Sequence, residues 1–164
     1  YNDPRNVFAA IDQAGVFEET CFWADNNWAE ISQEIISTHY GNVHTVTIPG
    51  PVGANEWQAQ YTWVNLPLAV NASDHYDCSI KVSASLNGEP VKFNGATVKL
   101  TDMNSDDNML FNARHEIPVG GWVYRFEDVQ MAQGDAASMK LVFDFGGAPE
   151  GAVITISDVT VIKK

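Results

Sequence analysis

Apolar and polar residues alternate with a period of two along several stretches of the chain. In Tyr76–Ala84, Cys78, Ile80 and Val82 point one way and Asp77, Ser79, Lys81 and Ser83 the other. In Met139–Phe145 the apolar set is Met139, Leu141, Phe143 and Phe145, opposed by Lys140, Val142 and Asp144. Near the C-terminus Val153, Thr155, Ser157, Val159 and Val161 oppose Ile154, Ile156, Asp158 and Thr160. Successive side chains of a strand point to opposite faces, so each stretch predicts a strand with one face buried. Turn residues punctuate the chain at short intervals, among them Pro49-Gly50-Pro51, Asn87-Gly88-Glu89-Pro90, Gly120-Gly121 and Gly146-Gly147-Ala148-Pro149. The predicted strands are Val43–Ile48, Trp57–Val64, Tyr76–Leu86, Ala96–Leu100, Val123–Met131, Met139–Phe145 and Val153–Ile162. Short strands at this spacing predict an all-β sandwich or barrel. Ala24–Thr38 has a mixed pattern that suits a helical turn or a strand. No linker, repeat or low-complexity tract interrupts residues 1–164, which read as one domain.

Charge narrows the range of partners. Nine basic against 21 acidic residues give a net charge of −12. A surface of that sign repels phosphate backbones and anionic lipid, and it is indifferent to a neutral sugar. No run approaches the length of a membrane span, and no basic start followed by an apolar run marks a signal peptide. Cys21 and Cys78 are spaced neither as a metal knuckle nor as a redox pair, and their pairing is left open.

Catalytic signatures are missing. The chain has no G-x-S-x-G, H-E-x-x-H, P-loop or G-x-G-x-x-G motif, and its histidines are scattered. A glycosidase needs two carboxyl groups facing each other across a cleft. Glu18, Glu19, Glu30, Glu34, Glu56 and Asp144 are available, but nothing in their spacing pairs them. Asp102–Asn108 begins like a calcium loop, yet Asp107 and Ala113 stand where an EF-hand needs Gly and Glu. That segment is expected to be a solvated acidic loop between strands. Asn71-Ala72-Ser73 fits the glycosylation pattern, which matters only in a glycosylating pathway.

The tryptophans carry the remaining signal. Trp63 shares a strand face with Ala59 and Tyr61 and is expected in the core. Trp122 follows Gly120-Gly121, where an edge-packing role and a binding role are both open. Trp57-Gln58-Ala59-Gln60 sets an aromatic beside two amides expected to share a face. Trp23-Ala24-Asp25-Asn26-Asn27-Trp28 sets two aromatics around polar side chains. A sugar ring has apolar C–H faces and a rim of hydroxyls; aromatic rings cover the former, and amides and carboxylates bond the latter.

Five motifs in order resemble the carbohydrate-binding modules of the family 4/9/22 group. They are Trp57-Gln58-Ala59-Gln60, Tyr76–Val82, Trp122-x-Tyr124-x-Phe126, Leu141–Gly147 and Val153–Val161. The run Phe22–Ile31 looks like the N-terminal strand of surface glycan-binding relatives. The likeness is greatest to modules inserted in family 10 xylanases of gut bacteria. It implies a jelly roll whose concave face binds β-1,4-xylan or β-glucan without catalysis, holding an attached glycoside hydrolase to its substrate. It also implies an extracellular or cell-surface, secreted location. By position, Trp57 is then the stacking platform, with Trp28 or Trp23 as the second aromatic. Gln58, Gln60, Lys140 and Asp144 bond the sugar hydroxyls. Relatives often carry a structural calcium at the strand holding Asp158; Ser157 departs from the family's pattern there. A small glycosidase and a protein-binding adhesin sandwich are the rival readings.

Overall fold

The computed structural model of the chain describes residues 1–23, 30–32, 37–40 and 42–164, with side chains omitted for 30–32 and 37–40. It is a sandwich of two antiparallel sheets. The first contains β1 (Phe17–Trp23), β2 (Glu30–Ser32), β5 (Ala59–Leu66), β8 (Phe93–Asp102), β9 (Ser105–Ile117) and β11 (Met139–Asp144), in the order β2-β1-β5-β11-β8-β9. The second contains β3 (Ser37–Tyr40), β4 (Val43–Thr47), β6 (Tyr76–Leu86), β10 (Trp122–Val129) and β12 (Val153–Lys163), in the order β10-β6-β12-β4-β3. The short β7 (Glu89–Pro90) pairs with β6. Among the described residues no helix is long and apolar enough to cross a membrane.

Every strand predicted from alternation or β-propensity is present, with ends moved by a few residues. The inner faces meet in one core. Tyr61, Trp63, Phe143 and Phe145 come from the first sheet side and Ile80, Val82, Ile154 and Ile156 from the second, all fully buried. Trp63 makes edge contacts with Tyr61 and Phe143 and stacks on Phe8, as expected of a core aromatic.

Three elements depart from the expectation. Asp102–Asn108 is a tight hairpin: β8 ends at Asp102, Met103-Asn104 turns, and β9 begins at Ser105. The Asp102 carboxylate accepts from the Asn104 backbone N–H at 2.9 Å and from the Asn108 side chain at 3.3 Å, so it closes the turn. A helix, α1 (Val7–Ala14), packs against β12. Its N-cap Asn6 accepts from the Phe8 and Val161 N–H groups and donates to the Val159 carbonyl. In β12 the alternation changes parity at a bulge between Ser157 and Thr160, where Asp158 has φ 53°. Ile154 and Ile156 are buried before the bulge, Val159 and Val161 after it. A bulge inserts one unpaired residue, which shifts the inward set by one.

Of the mixed segment Ala24–Thr38, residues 24–29 and 33–36 lie outside the described residues, and the rest forms short strands. Cys21 and Cys78 belong to opposite sheets and are not joined.

Candidate functional site

The outer face of the first sheet is hollowed into a groove of about 330 Å³ that includes Gln60, Lys140 and Asp144 among its lining residues. Strand register explains why these three meet. Cys21 pairs with Gln60, Gln60 with Asp144, Asp144 with Thr97 and Thr97 with Arg114. Paired residues in adjacent strands project to the same face, so these side chains form a row across β1, β5, β11, β8 and β9. A second row runs parallel to it through Glu19, Thr62, Val142, Lys99 and Asn112.

Asp144 sits at the centre of the first row. Burial pushes its carboxyl above the ordinary carboxylate range, while a hydrogen bond from Gln60 and the charges of Arg114 and Lys99 pull it back. Its Oδ1 is buried and has no hydrogen-bond partner among the described residues. A buried acceptor left unmatched costs about 1–3 kcal/mol. Lys140 forms an ion pair with Asp106 at 2.6 Å, which holds the Asp106 carboxyl below its usual range. Arg114 donates to Thr97 Oγ1 at 3.0 Å and pairs with Glu56 at 3.3 Å.

Trp57 is half-buried in a 3-10 turn, Glu56–Gln58, that leads into β5. Its ring meets Trp23 edge-on, with centroids 5.9 Å apart and 64° between planes. The loop carrying Trp57 is tied to its surroundings through backbone bonds. The Gly53 N–H donates to the Trp23 carbonyl at 2.9 Å, and the Gly146 N–H to the Glu56 carbonyl at 3.0 Å. The loop lies directly on Gly146, where a Cβ would stand 1.7 Å from the Asn55 carbonyl oxygen. The Gly146-Gly147 pair thus seats the aromatic loop.

Gln58 does not share a face with Gln60. It is 3% exposed, and its Oε1 accepts from the Asn55 N–H at 3.0 Å. Its side chain also fills the space where Gly53 lacks a Cβ. The expectation of two adjacent amides on one face is corrected: the turn at Glu56–Gln58 interrupts the strand periodicity, and Gln58 serves the loop. Trp28 lies outside the described residues.

Asp158 is remote from the groove, on the second sheet, and its carboxylate accepts from the Asn42 side chain at 2.8 Å. Among the described residues no group of three or more His, Cys, Asp or Glu side chains is placed to hold a metal ion.

The sequence reading missed Thr62, Val64 and Lys99 in the groove, together with Arg114 at the end of its first row, and it weighed Glu19 only as a carboxylate candidate for catalysis. Lys99 stands on a predicted strand, so period two could have placed it opposite Val98 and Leu100. Arg114 carried no such signal, because β9 was not anticipated. Phe17, 68% exposed, lies on the same face as Val64 at the start of β1.

No protein-family model matches the chain, and no curated protein matches it. Solved structures do. One described as "CBM4 structure and function" matches with a TM-score of 0.56 at 19% identity, over 93% of this chain and 92% of that one. The N-terminal cellulose-binding domain of Cellulomonas fimi β-1,4-glucanase C matches with a TM-score of 0.54 at 11% identity, over 90% and 88%. A cyclase from Fischerella sp. TAU, solved with 4-(1H-indol-3-yl)butan-2-one, matches with a TM-score of 0.52 at 10% identity, over 90% and 84%. One architecture carries both binding and catalysis in these proteins, so function has to be argued from side chains. The chain has the two-sheet sandwich fold of carbohydrate-binding modules.

Proposed function

We propose that this chain is a non-catalytic polysaccharide-binding module whose ligand is a β-1,4-linked xylan chain lying in the groove of the first sheet. The observation that carries the reading is the row through Gln60 and Asp144, which sets an amide, a half-buried carboxyl and a guanidinium in line across the sheet. The Trp57–Trp23 pair adds an aromatic surface on a loop bordering the sheet. Sugar rings stack on that surface while their hydroxyls bond Gln60, Asp144 and Lys140. Each hydrogen bond exchanged from water nets about 0.5–1.5 kcal/mol. A few such bonds and two stacks correspond to a Kd between about micromolar and millimolar. Affinity in that range is useful when the module is tethered to a glycoside hydrolase, where linkage raises the local concentration. An extracellular or cell-surface location follows from such a substrate. A β-1,4-glucan is the second reading, favoured by the shared fold with a domain described as cellulose-binding.

The test is a calorimetric titration with xylohexaose, cellohexaose and laminarihexaose, together with a reducing-sugar assay on the polymers. Binding of xylohexaose ahead of the other two, with no sugar release, supports the reading. Binding of none of the three, or hydrolysis, sinks it.

A further inference from the structure

The row across the groove ends at Arg114 on β9, the edge strand of the first sheet. One residue on, His115 projects to the other face of β9, and its ring lies parallel to that of Trp122, with centroids 3.6 Å apart and 3° between planes. Trp122 begins β10, the edge strand of the second sheet. The pair therefore spans the open side of the sandwich, at a surface notch of about 380 Å³ that Arg114, His115, Trp122, Val123 and Arg125 help to line.

Closing the sandwich does not require this much apolar surface. The next inward-facing residue of β10, Tyr124, is 3% exposed and already donates to the Ala96 carbonyl across the gap. Trp122 is 37% exposed, and Val123, which also lines the notch, is 36% exposed. A cluster of exposed apolar side chains on a monomer marks a contact surface. The ring is also held in place. One of its faces is covered by His115, whose Nδ1 lies 2.6 Å from the Glu116 carbonyl oxygen. It follows Gly120 and Gly121, both at positive φ, and a Cβ at Gly121 would stand 2.9 Å from the Val82 carbonyl oxygen. A fixed aromatic plane loses little freedom when a ligand settles on it.

Arg114 joins this notch to the groove. Its guanidinium donates to Thr97 in the row, and the residue is also part of the lining of the notch. The geometry points to Trp122, backed by His115, as a second stacking platform that takes a sugar ring of the same polysaccharide chain where it leaves the groove past Arg114. The inference rests on the polysaccharide reading of the groove. A flat aromatic surface in a notch that Arg114 and Arg125 help to line suits a pyranose ring with its hydroxyl rim. Ligands short enough to stay within the groove do not reach it, and long chains do.

The experiment titrates the whole chain, the Trp122→Ala variant and the Trp57→Ala variant with xylotriose and with soluble xylan, with thermal melts to check folding. Trp122→Ala is expected to leave xylotriose binding unchanged and to weaken xylan binding about fivefold, or about 1 kcal/mol. Xylan binding equal to that of the unmodified chain overturns the inference. So does an equal loss on both ligands, or the disappearance of a dimer on size exclusion, which would make the patch a self-association surface. If Trp122→Ala does not fold, the indole N–H resonance of Trp122 in the unmodified chain decides. It has to shift with xylan and stay put with xylotriose; a resonance that xylan does not move overturns the inference. An unmodified chain that binds neither ligand sinks the groove reading itself whatever Trp122 does, and a Trp57→Ala variant that still binds both removes only Trp57 from the site.

Discussion

Gln60 on β5 and Asp144 on β11 stand directly opposite each other, and the Gln60 amide donates to a carboxyl group whose Oδ1 is buried without a partner. The pair leaves one carboxylate oxygen buried without a partner beneath the groove. That arrangement opposes stability and favours binding, a familiar trade at functional sites.

Burial raises the Asp144 pKa in the folded chain above its unfolded value. Between the two values the folded chain holds the extra proton, so stability from this residue falls as pH rises through that window and stays lower above it. Asp144→Asn removes the effect, and its melting temperature at pH 7 is expected to equal or exceed that of the unmodified chain. Binding moves the other way. A hydrogen bond to a charged acceptor is worth about 1 kcal/mol more than one to a neutral acceptor, so the variant is expected to bind xylohexaose about fivefold more weakly. In the unmodified chain binding weakens as pH falls through the raised pKa of Asp144, and in the variant that pH dependence flattens. Calorimetry across pH 4–7 and a melt at pH 7 check both, with the window set by the direction of the shift.

Trp57→Ala is expected to abolish retention in an affinity gel containing xylan while the chain still unfolds cooperatively. Trp57 is half-buried on a surface turn, and its removal leaves the core aromatics Tyr61, Trp63 and Phe143 in place. Unchanged mobility would remove Trp57 from the site.

Gln58 and Gly146 are expected to report on the seat of that loop. Gln58→Ala removes a buried amide whose Oε1 holds the Asn55 N–H, at a cost of about 1–3 kcal/mol. For a chain of this size the melting temperature falls by about 2–4 °C per kcal/mol. Gly146→Ala forces a methyl group against the Asn55 carbonyl and displaces the loop, costing about 1–3 kcal/mol. It is expected to weaken xylan retention as well, because Trp57 moves with the loop. Melts and affinity gels on both variants check these outcomes; a Gly146→Ala chain with full retention would separate the loop from the site.

Cys78 is buried on β6, and burial pushes its thiol up to about 12. The thiolate is the reactive form. Cys78 is therefore expected to resist iodoacetamide at pH 8 in the folded chain and to react once denaturant unfolds it, which mass spectrometry of the alkylated peptide measures.

The amino-acid sequence alone determined the strands of this protein wherever local alternation was unbroken. Cys78, Ile80 and Val82 on β6, and Met139, Leu141 and Phe143 on β11, are buried as their spacing demands. It also placed Gln60, Lys140 and Asp144 on outward faces, since Lys140 and Asp144 alternate with the core positions of β11 and Gln60 with Ala59 and Tyr61 on β5. Tertiary structure decided what local period cannot express. The bulge at Asp158 reverses the inward set of β12 midway, and the turn at Glu56–Gln58 carries Gln58 into the loop while Gln60 stays in the groove. The strand β9 was hidden because it begins within the acidic segment Asp102–Asn108, read as a loop, and no alternation was picked out in the residues after it that pair with β8. The row from Cys21 through Gln60, Asp144 and Thr97 to Arg114 depends on the register of strands far apart in sequence. A shift of one residue in any of those pairings would send its side chains to the opposite face. Resemblance named the candidates, alternation turned them outward, and register chose which of them meet.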